Sequence, residues 1–219
     1  MSMFETPETY KGPIDPDGGF LCFGTYWRPQ AGASDPEAPG EKLQMSSYIP
    51  VAPDHLCLCG SGKTFEKCCR PKRLWYPVCP NPGIPGEAGY SLMKVQSATF
   101  PSVDGALVRR ALMDDIRLRC TEDTPERAFW IYEGDPAIQT PQGIMCFGDI
   151  ELQHNHTLFV TAMSDLRMRA LLNLLREDCG DLGRPRIKYE PVRVIDKRTG
   201  KSVARQPDPP VRRGRRRKR

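Results

Sequence analysis

Residues 57–69 read CLCGSGKTFEKCC and hold four of the nine cysteines of the 219-residue chain. The first pair, Cys57 and Cys59, can ligate from one tight turn, and the two glycines that follow allow the chain to double back. The excursion then returns Cys68 and Cys69 to the same point. Four thiolates can close a tetrahedron around Zn²⁺ and leave no coordination position for substrate water. We therefore predict that these four cysteines bind a structural zinc ion.

The same stretch allows two other interpretations. The run GSGKT at 60–64 is also the ending of a P-loop, but that motif needs a glycine five positions before Gly62, where this chain has Cys57. It also needs a preceding buried strand, and residues 52–55 read APDH. We therefore expect no nucleotide site. His55 could replace one cysteine as a ligand, but a single histidine beside four cysteines is more often a neighbour of the site.

The same residues resemble the SEC-C motif, whose pattern is Cys-x-Cys-Gly-Ser-Gly-Lys, an aromatic residue, and a closing Cys-Cys or Cys-His. This chain matches every cysteine of the pattern, the GSGK run and the aromatic position, which is Phe65. The motif is best known as the C-terminal zinc knuckle of the preprotein-translocase ATPase SecA, where it binds zinc and docks an export chaperone. The resemblance implies zinc as the cofactor and a protein as the partner.

The sequence also indicates the cellular compartment of the protein. No apolar run approaches the roughly 18–20 residues that span a bilayer. The first ten residues lack the basic and then apolar pattern of a secretion signal. We therefore expect a soluble, cytoplasmic protein without membrane contact, in which the thiols stay reduced and no disulfide framework forms.

The charge is distributed unevenly along the chain. Residues 197–219 carry a net charge of +10, whereas the rest of the chain carries −5. We predict a disordered basic tail on a mildly acidic body. Such a tail could bind phosphates of RNA or DNA without reading their sequence. The alternative is a solubilising end, since no aromatic residue lies within it to stack on bases.

The predicted fold class is α+β, with a small four-cysteine zinc knuckle followed by a mixed sheet in the order β-α-β-β-β-α-β and two covering helices. The predicted division of the chain has five parts. They are a Pro/Gly-rich N-terminal segment at 1–50, the SEC-C zinc knuckle at 51–73, a linker at 74–88, an α+β domain at 89–196 and the disordered tail at 197–219.

Alternation and helical periodicity predict the elements of the α+β domain. The predicted strands cover 90–100, 128–132, 144–152, 158–163 and 187–195. The predicted helices cover 102–120, with Ser102 as N-cap, and the residues from Ser164 to about Asp178, with Gly180 as the stop signal. In the N-terminal segment only residues 19–27 are apolar enough to form an ordered element, and we expect a strand there.

A weaker constellation of carboxylates and histidines lies in the same domain. These side chains could form a hydrolytic metal site, and they belong to Glu133, Asp135, Asp149, Glu151, His154 and His156. We favour instead a solvated strand face and a polar hairpin turn, which require no chemistry. We assign no catalytic residue.

These observations favour a zinc-binding adaptor that interacts with a protein or a nucleic acid. The alternative is an enzyme with an active site in residues 89–196 and a purely structural zinc. A concave site with convergent polar groups in that domain would favour the enzyme.

Overall fold

The computed structural model describes residues 19–29, 40–49, 51–59, 61–72, 74–81, 89–134, 139–140, 143–196 and 201–205. The strands of this part are β1 (Gly19–Pro29), β2 (Gly40–Ile49), β3 (Leu74–Pro80), β4 (Tyr90–Leu92), β5 (Gln96–Phe100), β6 (Leu118–Asp123), β7 (Arg127–Tyr132), β8 (Gln139–Thr140), β9 (Gly143–Met145), β10 (Gly148–Gln153), β11 (Thr157–Ala162), β12 (Arg186–Tyr189), β13 (Val192–Asp196) and β14 (Lys201–Arg205). The helices are α1 (Gly105–Met113) and α2 (Asp165–Cys179). A mostly β structure with two helices agrees with the predicted α+β class.

The strands form two sheets. Sheet 1 has the order β14-β13-β3-β1-β9-β8, with β2 also paired to β1 and β4 also paired to β3. Sheet 2 has the order β12-β5-β11-β10-β7-β6. All neighbours in sheet 2 are antiparallel, whereas β1 and β3 of sheet 1 run parallel.

Three segments predicted as single strands each pass from one sheet to the other. The predicted strand at 90–100 divides into β4 of sheet 1 and β5 of sheet 2. The one at 144–152 divides into β9 and β10, and the one at 187–195 divides into β12 and β13. Pro191 lies at the last division, where its missing N–H interrupts the ladder. Strands that bend between packed sheets form the corners of such structures.

Sheet 2 carries both helices on one face. The buried core between them contains Trp130 and Leu171, both 0% exposed, together with alternate residues of β5, β7, β10 and β11. The predicted second helix is present as α2, with the Ser164 hydroxyl accepting a hydrogen bond from Arg167 N at 3.3 Å. Gly180 follows its end with φ = 75°, as a C-terminal glycine stop requires.

The first helix is shorter than the predicted helix at 102–120. Asp104, rather than Ser102, caps it, because its carboxylate accepts the hydrogen bond from a first-turn amide. The helix ends at Met113, and residues 118–123 form β6, which pairs with β7. The predicted order β-α-β-β-β-α-β is therefore wrong in omitting this strand, as well as the divided strands above.

Several strands of sheet 1 are formed by residues whose composition predicts irregular structure. Residues 40–49 form β2, which pairs with β1 along its whole length. Residues 74–80, from the predicted linker, form β3 between β13 and β1. Residues 201–205, from the predicted disordered tail, form β14. Backbone pairing to a distant strand outweighs local Pro/Gly composition here. The remaining tail, residues 206–219, lies outside the described residues.

A buried arginine connects the two sheets. Arg167 of α2 is 0% exposed. Its guanidinium donates to the Pro80 carbonyl at the end of β3 and to the Cys146 carbonyl between β9 and β10 at 3.2 Å. It also lies 5.0 Å from the centre of the Phe147 ring. The cost of burying this charge is offset by two carbonyls and an aromatic face instead of a carboxylate.

Candidate metal centre

The cysteine segment starts with a tight hairpin. Leu56 and Thr64 form an isolated antiparallel bridge, and Cys57 N donates to Lys63 O at 2.8 Å. Gly62 has φ = 72°, a backbone conformation that favours glycine, so the chain can reverse there. The hairpin holds the first two cysteines on its first arm, before the reversal.

The second half of the segment is a helical turn. The Phe65 carbonyl accepts hydrogen bonds from Cys68 N and Arg70 N, both at 3.1 Å. Lys72 N then donates to Cys69 O at 3.1 Å, which leads into the 3-10 turn Arg70–Lys72. This turn presents two consecutive cysteines toward the hairpin.

The structure brings the four predicted thiols together. All four Sγ atoms of Cys57, Cys59, Cys68 and Cys69 lie within 4.8 Å of one another. Cys68 Sγ lies 3.4 Å from Cys59 Sγ and 3.9 Å from Cys69 Sγ. Four sulfurs bound to one zinc at about 2.3 Å stand about 3.8 Å apart. The donor set and spacing therefore fit a four-coordinate zinc ion.

The thiols differ in how firmly they hold their protons. A hydrogen bond with Cys69 lowers the pKa of Cys59 to about 4, and the same bond raises the pKa of Cys69. Burial raises the pKa of Cys57 to about 11. Cys59 is thus the thiolate acceptor of the cluster. Binding of zinc by these four cysteines would release the remaining protons, since only deprotonated sulfur ligates the metal.

The site is closed on its inner side. Cys57 and Cys69 are 4% and 1% exposed, and Phe65 between the two pairs is 2% exposed. The ring centre of Phe65 lies 5.7 Å from that of Phe20 in β1, and the two rings are tilted by 52°. Aromatic pairs at this separation are favourable beyond the area they bury. The knuckle is therefore packed onto sheet 1 rather than standing apart as a separate module.

The residues that join the knuckle to sheet 1 form one apolar cluster, which we call the knuckle cluster. Its buried members are Phe20, Cys22, Cys57, Phe65, Cys69, Tyr76 and Val78. The apolar run at 19–27 indicates a strand, but its partner is set by tertiary contact. Sequence reasoning therefore missed Phe20 and Tyr76 as parts of the site. The aromatic position of the motif, Phe65, was the one signal that pointed to such a contact.

His55 does not join the thiols. Its side chain is exposed, and the cluster of potential ligands in the described residues contains the four cysteines without it. The main chain of His55 instead accepts a hydrogen bond from Phe65 N at 2.8 Å. This residue supports the hairpin through its backbone.

The weaker carboxylate and histidine set is engaged in ion pairs and turns. Asp149 Oδ1 lies 2.6 Å from Lys42 Nζ, and Glu151 Oε1 lies 2.7 Å from Arg127 Nε. Glu133 pairs with Arg119. The two histidines lie exposed in the β10–β11 turn, and Asp135 lies outside the described residues. Paired carboxylates favour the interpretation of a solvated sheet face.

Comparison with protein families supports the same stretch. The model of the SEC-C motif matches residues 56–71, a range that contains all four clustered cysteines. No curated protein and no solved structure matches the chain. The chain carries a SEC-C motif whose cysteines form a candidate metal site.

Proposed function

We propose that this chain with its SEC-C motif is a cytoplasmic zinc-binding adaptor, which acts by binding a partner rather than by catalysis. One observation carries the proposal. The four thiols converge in a closed site that shares an apolar cluster with sheet 1. A filled four-cysteine site has no position for a substrate or water. The zinc would therefore act as a structural element.

The outer surface of the knuckle supports a binding role. Leu56 is 69% exposed, so a large apolar side chain is available at the surface of the knuckle. Exposed lysines, Lys63 and Lys67, lie in the same segment. An apolar side chain with a cationic surround suits a protein partner that carries an apolar and acidic surface.

Metal analysis tests the zinc assignment. Protein purified under reducing conditions should contain one zinc per chain, measured by plasma mass spectrometry. Cys59→Ser should lower this content to near zero, because three remaining thiolates bind far more weakly. Cys120→Ser is the matched control, since this thiol lies in β6 of sheet 2, and it should keep the full equivalent. A full equivalent in the Cys59 variant would contradict the assignment.

The basic C-terminus offers a second route to a partner, because residues 211–219 contain seven Lys and Arg. If about five of them bind single-stranded RNA, the log–log dependence of affinity on salt should have a slope near −3.5, at about −0.7 per phosphate. Removal of residues 211–219 should weaken binding to all sequences similarly. Equal RNA retention by full-length and truncated protein would assign the tail a solubilising role instead.

None of the helices in the described part of the chain is long and apolar enough to cross a membrane. The proposal accordingly places the partner in the same aqueous compartment as the zinc knuckle. Reduced cytoplasmic thiols suit the proposed site, because oxidation of any two of its cysteines would remove two ligands.

A further inference from the structure

Strand β12 stands at one end of sheet 2 and carries exposed apolar side chains. Its one neighbour among the described strands is β5. Ile187 and Tyr189 are 44% and 49% exposed. Both face the helix side of the sheet, because they pair with Ala98 and with the buried Gln96. An edge strand with this exposure presents a surface on which another segment can pack.

The backbone of β12 is also available on its outer side. Glu190 N donates to Val95 O at 2.9 Å, across the sheet. In an antiparallel pair, residues alternate between bonding to the neighbour and pointing away from it. The N–H and C=O groups of Ile187 and Tyr189 therefore point outward from β5. They form a template for an added strand.

A cavity adjoins the start of this edge. Its volume is about 100 Å³, it is open to solvent, and its lining combines the polar side chains of Arg176 and Asp181 with Phe100, Leu172, Leu175 and Pro185. This space is several times the roughly 30 Å³ that a water molecule takes in the liquid, so it has room for an aliphatic side chain. Pro185 precedes Ile187 by two residues, so the cavity and the exposed side chains of β12 follow one line.

Positive side chains outnumber acidic ones along this line, where Asp181 lines the cavity and Glu190 follows β12. The positive side chains are exposed or partly exposed on β12, on the loop before it and on α2, and they belong to Arg176, Arg184, Arg186 and Lys188. Among the described residues, none of the four forms an ion pair, whereas Arg117, Arg119 and Arg127 each do. Charged side chains on an edge disfavour neutral or basic strands. The same charges attract an acidic one.

We propose that β12 and the adjoining cavity bind an extended acidic segment of a partner protein, which adds to sheet 2 as a further strand. The proposal rests on the proposed function as a binding protein and gives the partner a chemistry. In a segment that alternates acidic and aliphatic residues, the acidic side chains meet Arg186 and Lys188. The aliphatic ones lie along Ile187 and Tyr189, and one enters the cavity.

Fluorescence anisotropy with the full chain tests this docking. The probe is a labelled seven-residue peptide that alternates glutamate with valine, and the comparison peptide has lysine in place of glutamate. We expect saturable binding of the acidic peptide that weakens with added salt. The double variant Arg186→Glu, Lys188→Glu should lower its affinity at least tenfold. Equal binding of both peptides, or an unchanged affinity of the double variant, would overturn the proposal.

A matched charge reversal provides the control. Arg110 is exposed on α1, which packs against β6 at the opposite end of sheet 2. Arg110→Glu should leave the affinity within twofold of the unmodified protein. A seven-nucleotide single-stranded RNA is the third probe. RNA binding that the double variant abolishes, without binding of the acidic peptide, would overturn the proposal in favour of nucleic acid.

Amide hydrogen exchange measures the addition of a strand to β12 directly in the unmodified protein. Saturating acidic peptide should slow exchange of the Ile187 and Tyr189 amides at least tenfold in NMR spectra. Unchanged exchange of both would overturn strand addition. The Cys59→Ser variant should bind the peptide within twofold, because β12 belongs to sheet 2. Zinc content and peptide affinity therefore report failure of the zinc function and failure of this docking site separately.

Discussion

The core of sheet 2 and the knuckle cluster differ in the interactions that stabilise them. The core between sheet 2 and its two helices contains fifteen buried apolar residues, contributed by the sheet and by the helices. The knuckle cluster buries seven, and three of them are cysteines. Apolar burial stabilises by roughly 25 cal/mol per Å², so sheet 2 can be held by packing alone. The knuckle has too few apolar side chains for this, so we expect its stability to depend on a bound metal ion in addition.

The knuckle is connected to the rest of the fold through sheet 1. Phe65 packs on Phe20 of β1, and β1 belongs to the sheet that receives β9 and β13 from the second half of the chain. We therefore expect metal binding in the knuckle to stabilise part of sheet 1 as well. Metal removal should accordingly destabilise the structure most near the thiols and least at the helix-covered face of sheet 2.

Metal removal should produce the largest effect. Structural zinc contributes about 10–16 kcal/mol of apparent binding free energy in short zinc peptides. A chelator should therefore abolish amide protection in residues 55–72 and weaken it in β1 and β3, while β10 and β11 stay protected. Hydrogen exchange with mass spectrometry measures all segments together. Equal loss of protection in β10 and β11 would contradict the division of the molecule into two differently stabilised regions.

Truncation of one large side chain in each region should have the next largest effect. The two variants should show that the two regions are stabilised differently. Phe65→Ala should cost about 3–5 kcal/mol, as buried Phe deletions do, and should lower zinc affinity because the cysteine turns lose their support. Leu171→Ala in the sheet 2 core should cost about 2–5 kcal/mol of unfolding free energy. Zinc affinity should stay within twofold in the Leu171 variant. A competitive zinc indicator and urea unfolding measure the two quantities.

Arg167 should couple the two regions. Arg167→Met keeps the apolar length of the side chain but leaves the carbonyls of Pro80 and Cys146 without these hydrogen bonds. Unsatisfied buried acceptors cost about 1–3 kcal/mol each, so we expect a loss of about 2–3 kcal/mol after relief of the buried charge. Urea unfolding followed in both sheets by hydrogen exchange should show the loss in both. A loss confined to sheet 2 would contradict the connecting role.

The smallest expected effect is a pH-dependent change in the free energy of unfolding, caused by Asp178 near the end of α2. Burial, and after it the neighbouring Asp115, raise the pKa of Asp178 to about 6. A raised carboxyl pKa favours the folded state at low pH, and this stability is lost as pH rises from about 4 through 6. Asp178→Asn should therefore gain about 1–2 kcal/mol over the unmodified protein at pH 7, since one pKa unit is 1.36 kcal/mol before solvent screening.

Urea unfolding at pH 4 and pH 7 measures this difference, and the gain should shrink toward pH 4. The Asn variant loses the ion pair of Asp178 with Arg117, but Arg117 keeps its bidentate contact with Asp115. Zinc affinity should not change, because Asp178 lies on α2. A gain of equal size at both pH values would contradict ionisation of Asp178 as its cause.

Local pattern determined the parts of this protein that are made from contiguous residues. The four cysteines lie within thirteen residues, so ligand spacing alone predicted the site that the structure brings together. The α2 helix, with Ser164 at its start and Gly180 at its end, carries its signals in one periodic stretch. The β10–β11 hairpin likewise follows from alternation around one polar turn.

Tertiary structure alone decided which distant segments meet. The pairing of β1 with β2 and β3, the contact of Phe65 with Phe20 and the division of three apolar runs between two sheets have no local signal. An alternating run satisfies either sheet equally, because its period describes one face and not the strand beside it. Only the packed chain therefore shows that the knuckle supports sheet 1 and that β12 remains at the edge of sheet 2.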